Sequence, residues 1–168
     1  MKRLWIFVLI TGIAIAAVSV FQYLTRLGEG DLAPGFELIS IDSRSVSLSG
    51  YKGRPVLLHF WASWCGPCRQ EFPALSRLQR DFAKDGLAVL AVSEDKEIAA
   101  VRAFVDFARP DFTVLLDDEG RVADAYQSWA VPETMLIDGR GTIVWRHAGP
   151  VDWDSRKARE RVRELTGG

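Results

Sequence analysis

The pattern of apolar and polar positions divides most of the chain into short, alternating elements. Phe36-Glu37-Leu38-Ile39-Ser40-Ile41 alternates, Asp42-Ser43 breaks the pattern, and Ser45-Val46-Ser47-Leu48 resumes it, which predicts a β-hairpin. Arg54 to Trp61 is near-continuously apolar, as a central parallel strand buried on both faces should be. A helical period follows from about Gly66 to Asp85, with Phe72, Leu75, Leu78 and Phe82 on one side and Pro73 inside it. Leu87–Val92 reads as a second buried strand. Lys96–Arg109 reads as a helix with Ile98, Val101, Phe104, Val105 and Ala108 inward. Thr113–Leu116 is a short strand and Arg121–Trp129 a short helix. Thr134–Ile137 and Thr142–Trp145 flank the turn Asp138-Gly139-Arg140-Gly141, and Asp154–Leu165 is a terminal helix. Strand–helix alternation closed by a hairpin and a helix predicts an α/β fold, a mixed central sheet with helices on both faces.

The N-terminal end does not belong to this pattern. Leu4 to Leu24 is 21 residues without a charge, flanked by Lys2-Arg3 and Arg26. About 20 apolar residues span a bilayer. The basic flank predicts that Met1 stays in the cytoplasm and the remainder is exported. Ala14-Ile15-Ala16 offers a cleaved signal peptide as the rival reading; the apolar run continues past it to Leu24, which favours an uncleaved anchor. The chain therefore divides into an anchor over residues 1–24, a Gly-containing linker over 25–34 and one domain over 35–168.

Charge adds little. The formal net charge is −1, and −3 once Lys2 and Arg3 are set apart, so bulk charge gives no case for nucleic-acid binding. The terminal helix is rich in Arg and Lys, which reads as a solvated face.

Cysteine usage changes the picture. The chain holds two cysteines, Cys65 and Cys68. Exported proteins live where disulfides persist, and no further cysteine is present for a structural bridge, so this pair reads as a reactive dithiol. The preceding strand and following helix place Cys65 at a helix N-terminus. Free backbone N–H groups and partial positive charge collect there and stabilise a thiolate, the species that attacks disulfides. Cys65 is expected to be the exposed, acidic sulfur and Cys68 the buried one. Glu71, three residues after Cys68, shares its helix face and is a candidate proton acceptor; a solvent-facing glutamate is the bland alternative. His59, mid-strand, is either a hydrogen-bonded core residue or a second proton relay behind the dithiol. A permanent metal site does not fit two cysteines and two distant histidines, and no nucleotide or flavin motif points to a cofactor.

With these residues in place, Phe60-Trp61-Ala62-Ser63-Trp64-Cys65-Gly66-Pro67-Cys68 resembles the active-site strand and helix of the thioredoxin superfamily. Pro73 falls where thioredoxins carry a helix-kinking proline. Val131-Pro132 matches the position of the superfamily's cis-proline, which lies against the dithiol. More narrowly, Cys68-Arg69-Gln70-Glu71-Phe72-Pro73 and Val131-Pro132-Glu133-Thr134-Met135-Leu136-Ile137-Asp138 are similar to the membrane-anchored TlpA/ResA/CcmG group, as are the N-terminal hairpin and the helix–strand insert between Glu94 and Leu116. The resemblance implies a thioredoxin-like fold and a role for Glu71 in proton chemistry. Trp64, Trp129, Val131 and Pro132 would line the client groove, although the two tryptophans also fit half-buried core positions. His59 departs from the pattern: thioredoxins carry an aspartate there, and this group often an asparagine.

The function implied is a membrane-tethered reductase on the periplasmic side of the bacterial inner membrane, acting on disulfides of exported proteins. Apocytochrome c is the first candidate client and copper-site assembly proteins the second, with electrons from a transmembrane thiol donor of the DsbD/CcdA kind. Two other classes stay open: a disulfide-donating oxidase, and a non-catalytic module that holds Cu(I) or a client.

Overall fold

The computed structural model describes residues 27–167 together with Gly12. The anchor expected at Leu4–Leu24 otherwise lies outside the described residues. Among them, no helix is long and apolar enough to cross a membrane.

The strands are β1 (Glu37–Ser40), β2 (Ser45–Ser47), β3 (Val56–Trp61), β4 (Ala88–Ser93), β5 (Thr113–Leu116), β6 (Glu133–Ile137) and β7 (Ile143–Ala148). The helices are α1 (Gly66–Phe82), α2 (Ile98–Ala108), α3 (Arg121–Ala125) and α4 (Arg156–Thr166). One mixed sheet runs in the order β2-β1-β5-β4-β3-β6-β7. Its centre is parallel, β3 with β4 and β4 with β5, while β1 and β6 join it antiparallel. The expected hairpins are present as β1–β2 and β6–β7.

Strand alternation assigns the two faces. Val56, Leu58 and Phe60 of β3 point to the side covered by α3 and the N-terminal hairpin, where Val122, Ala123 and Tyr126 complete the cluster. Leu57 and Trp61 point to the other side. There Leu57 meets Leu75, Leu78, Trp153 and Val162 of the α1–α4 layer. Trp61 meets Cys68, Phe72, Val101 and Phe104 of the α1–α2 layer. Every residue of β3 and β4 is buried, which is why both sequences, His59 and Ser93 apart, are apolar without a period. Each large side chain buried this way contributes about 1.5–3 kcal/mol.

Element ends differ from the sequence expectation where a cap or turn intervenes. α3 stops at Ala125, four residues short of Trp129, because Gln127 turns into the left-handed region at φ 52°. Trp129 therefore lies on a loop. α4 begins at Arg156 because the Ser155 hydroxyl accepts from the Ala158 N–H, a side-chain N-cap. α2 closes on Arg109, left-handed at φ 45°, with Pro110 after it. In the β6–β7 turn, Gly139 passes so near the Gly53 backbone that a Cβ there would sit 3.0 Å from its carbonyl carbon.

Residues 27–33, expected as a linker, are docked on the domain. Gly30 and Ala33 donate to the Ile143 and Gly141 carbonyls, the Ile143 N–H donates to Asp31, and Leu32 bridges Thr142.

The N-terminus of α3 depends on Asp117, whose buried carboxylate accepts from the N–H groups of Val122 and Ala123 at 3.0 and 2.8 Å. Asp117→Ala leaves those donors unpaired and is expected to destabilise the fold by about 1–2 kcal/mol in urea denaturation. An unchanged midpoint would show that α3 does not rely on this cap.

Candidate functional site

β3 delivers the chain to the dithiol. After Trp61, Ala62–Trp64 forms a short turn, and α1 begins at Gly66 with Cys65 at its N-cap and Pro67 in its first turn. The turn is clamped by Asp95, just beyond β4: its carboxylate accepts from the Ser63 N–H and the Ser63 hydroxyl, both at 2.7 Å, and from the Ser93 hydroxyl at 2.8 Å. Asp95 is buried. The parallel β3–β4 register sets Trp61 beside Ser93, so two neighbouring strand ends hold the turn from both sides.

Cys65 and Cys68 are bonded, S–S 2.00 Å. The Cys65 sulfur also accepts from the Cys68 N–H at 3.2 Å. That contact fits a sulfur placed to gain from the helix N-terminus when it is released as a thiolate. Cys68 is fully buried, as expected. Cys65 is 5% exposed, less than the sequence reading required. The bond folds its sulfur back over the first turn of α1, leaving Trp64 (73% exposed), Gly66 and Pro67 as the outer surface.

Val131–Pro132 is a cis peptide bond. Val131 packs against the cluster that contains Cys65, Cys68, Trp61 and Ala62, so the β6 approach and the dithiol are neighbours. Pro132 is buried, and its carbonyl accepts from the Gly149 N–H. Trp129 is 71% exposed on the loop before them. The sequence-expected groove residues therefore cluster at one end of the sheet, and the core alternative for Trp64 and Trp129 is excluded by their exposure.

Glu71 is not a solvent-facing glutamate. It is 5% exposed, and its Oε1 accepts from the Val151 N–H and the Trp153 indole N–H, both at 2.9 Å. Its Oε2 is buried without a hydrogen-bond partner among the described residues. Burial outweighs these two hydrogen bonds and pushes its pKa up to about 7. One helical turn from Cys68, the group can hold or release a proton near neutrality.

His59 is wholly buried. Its Nδ1 lies 2.9 Å from the Thr134 hydroxyl, its β6 partner, and its Nε2 has no partner among the described residues. Burial pushes its pKa down to about 3. The ring is neutral at physiological pH, as expected of a hydrogen-bonded core residue.

Two further acids at this end of the sheet escaped sequence reading. Glu94 accepts from the Ser128 hydroxyl at 3.1 Å. Burial, aided by repulsion from Asp117, Glu133 and Asp124, pushes its pKa up to about 7 against that hydrogen bond. Glu133, next to Pro132, is paired with Arg146 at 2.7 Å in the interior. The available signal was position: Glu94 and Asp95 follow a buried parallel strand at its carboxyl end, the end where sites form in open α/β sheets. Among the described residues no group of three or more His, Cys, Asp or Glu could hold a metal ion.

Comparison with known proteins agrees with this geometry. The family model described as "AhpC/TSA family" matches residues 30–146. The thioredoxin-like protein YneN of Bacillus subtilis is 44% identical over 124 residues, 72% of each chain. The thiol-disulfide oxidoreductase ResA of the same organism is 35% identical over 126 residues, covering 75% of this chain and 70% of ResA. A crystal structure from Chlorobium tepidum, assigned as a thiol:disulfide interchange protein DsbE, superposes with a TM-score of 0.80 at 34% identity, covering 84% of this chain and 99% of that one. The fold is thus thioredoxin-like, and the chain belongs to the AhpC/TSA family, among its ResA- and DsbE-like thiol-disulfide oxidoreductases.

Proposed function

We propose that the protein is a membrane-tethered protein-disulfide reductase of the periplasmic side of the inner membrane. The observation that carries this reading is the joint placement of the Cys65–Cys68 pair at the α1 N-terminus, Glu71 one turn behind it and cis-Pro132 beside it. Family membership supports the disulfide chemistry. The uncharged Leu4–Leu24 segment supports the tether.

In the reduced enzyme, the Cys65 thiolate attacks one sulfur of a client disulfide, forming a mixed disulfide and expelling the client's other sulfur as a thiolate. The Cys68 thiol loses its proton, with Glu71 as acceptor. Its sulfur attacks Cys65, releasing the second client thiolate and leaving the Cys65–Cys68 bond. Two electrons pass to the client. A thiol donor must return them, and a transmembrane carrier of the DsbD/CcdA kind fits an enzyme held at the membrane. Trp64, Trp129, Val131 and Pro132 form the rim against which an extended client segment lies. A client whose cysteines must be free thiols suits this direction of flow; apocytochrome c is the first choice and copper-site assembly proteins the second.

The reduction potential of the full chain in detergent, equilibrated in defined thiol buffers, tests the direction. A value at or below that of thioredoxin, about −270 mV, is expected. A value near that of DsbA, about −120 mV, would make the protein a disulfide donor instead. Cys65→Ser is expected to abolish turnover and Cys68→Ser to accumulate the mixed disulfide. Loss in both without a trapped adduct would overturn the division of roles. Copper-free turnover with a protein disulfide separates the enzyme from a Cu(I)-holding module.

Glu71 generates a pH signature. Its pKa rises from 4.5 to about 7 on folding, so the folded state keeps the proton over that interval. Stability from this group is full below the lower value and is lost as pH rises through the upper one. Glu71→Gln removes this dependence. Its stability relative to the parent should rise by roughly 2–3 kcal/mol between pH 4 and pH 8, read by urea denaturation. A difference that does not change with pH would remove Glu71 as the proton acceptor.

A further inference from the structure

The chain enters the domain at the dithiol end, through contacts that leave little slack. Leu27 is fixed at both backbone groups. Its N–H donates to the Gln127 side-chain carbonyl at 2.9 Å, and its carbonyl accepts from Arg146, which also donates to the Gln127 carbonyl. The same guanidinium pairs in the interior with Glu133, the residue after cis-Pro132. From Leu27 the chain runs antiparallel to the start of β7, through the Gly30–Ile143, Leu32–Thr142 and Ala33–Gly141 contacts, toward the end of the sheet away from the dithiol. Leu27 is thus the upstream end of a docked strap on the α3 side of the sheet, and its partner Gln127 stands two positions before Trp129 in the chain.

This placement has a consequence when the tether reading above is taken as its premise. The uncharged segment ends at Leu24, leaving Thr25 and Arg26 before Leu27. Three Cα–Cα steps of about 3.8 Å keep Leu27 within roughly 11 Å of the last membrane-segment residue. A chain tied that short cannot present an arbitrary face. We propose that the Leu27–Ala33 strap holds the dithiol end of the domain against the membrane surface, with the exposed Trp129 in the lipid headgroup region. An amphipathic indole suits that zone. Trp129 is 71% exposed and follows by two residues the Gln127 that holds the entry point. Among the other large exposed apolar groups, which include Leu32 at 72% on the strap itself, Phe107 at 82% is the most exposed and sits near the C-terminal end of α2, across the sheet and at its opposite end. The proposal narrows the partner class: thiols and disulfides that lie at the bilayer surface reach the dithiol, and the thiol donor need not extend into the aqueous phase.

The test uses the full chain in lipid nanodiscs, with a benzoylphenylalanine photocrosslinker as Trp129→benzoylphenylalanine or Phe107→benzoylphenylalanine, and mass spectrometry of the adducts. Position 129 should yield lipid adducts several-fold more often than position 107. A long Gly/Ser stretch inserted between Arg26 and Leu27 leaves the strap docked but frees the domain, and should bring position 129 down to the level of position 107. Equal adducts at the two positions, or adducts at 129 to a second copy of the chain rather than to lipid, would overturn the orientation while leaving the tether intact. Adducts at 129 that survive the insertion would show that the rim binds lipid without help from the strap, which also overturns it. Failure of the chain to co-migrate with nanodiscs at all is the distinct result that removes the tether reading and this inference with it.

Discussion

The junction of β3 with α1 is the constraint on which the rest depends. β3 lies between β4 and β6, with all six residues buried. It is apolar except for His59, whose Nδ1 is paired with Thr134, and it ends where the sheet ends. That end is where backbone N–H groups of the next helix are unpaired, so a cysteine at its N-cap meets donors without any charged residue being brought to it. Asp95 makes the junction rigid. By binding both the N–H and hydroxyl of Ser63 it ties the turn to the neighbouring strand. The reactive pair rests on the end of a central, fully buried strand.

Behind the dithiol the protein keeps carboxyl groups in an apolar interior by two different means. Glu133 is paired with Arg146, whose remaining donors go to backbone carbonyls of Leu27 and Gln127; here the charge is neutralised by a partner and the pair ties β6, β7, the α3–β6 loop and the N-terminal strap together. Glu71 receives two hydrogen bonds and, among the described residues, no cation. That difference separates a carboxylate that holds structure from one that can trade its proton, since burial without an opposite charge raises a carboxyl pKa and an ion pair opposes the rise.

Most of the scaffold was legible because its signals are local. β3 and β4 announce themselves as near-continuous apolar runs, α1 by the Phe72–Leu75–Leu78–Phe82 spacing, and the dithiol by two cysteines three positions apart at a strand–helix boundary. The features that were not legible depend on contacts distant in sequence. Residues 27–33 have a linker's composition, and they are ordered by backbone hydrogen bonds to residues more than a hundred positions away. Gln127 ends α3 although the apolar period runs on toward Trp129. Glu71 was readable as a helix residue, but its burial comes from Val151 and Trp153, which the chain supplies only after β7. His59 shows the reverse. Its surroundings were evident from the strand itself, while the size of its pKa depression needed the full three-dimensional enclosure to be seen.

The hydrogen bond between Trp153 and Glu71 gives the molecule an optical property as well as a structural one. The indole N–H donates directly to the carboxyl group, so loss of that group's proton places a negative charge at the polar end of a buried chromophore. Indole emission responds to the local electric field. The intrinsic fluorescence of this protein therefore carries a reporter wired to the proton state behind the dithiol, built from a native side chain and readable without any label.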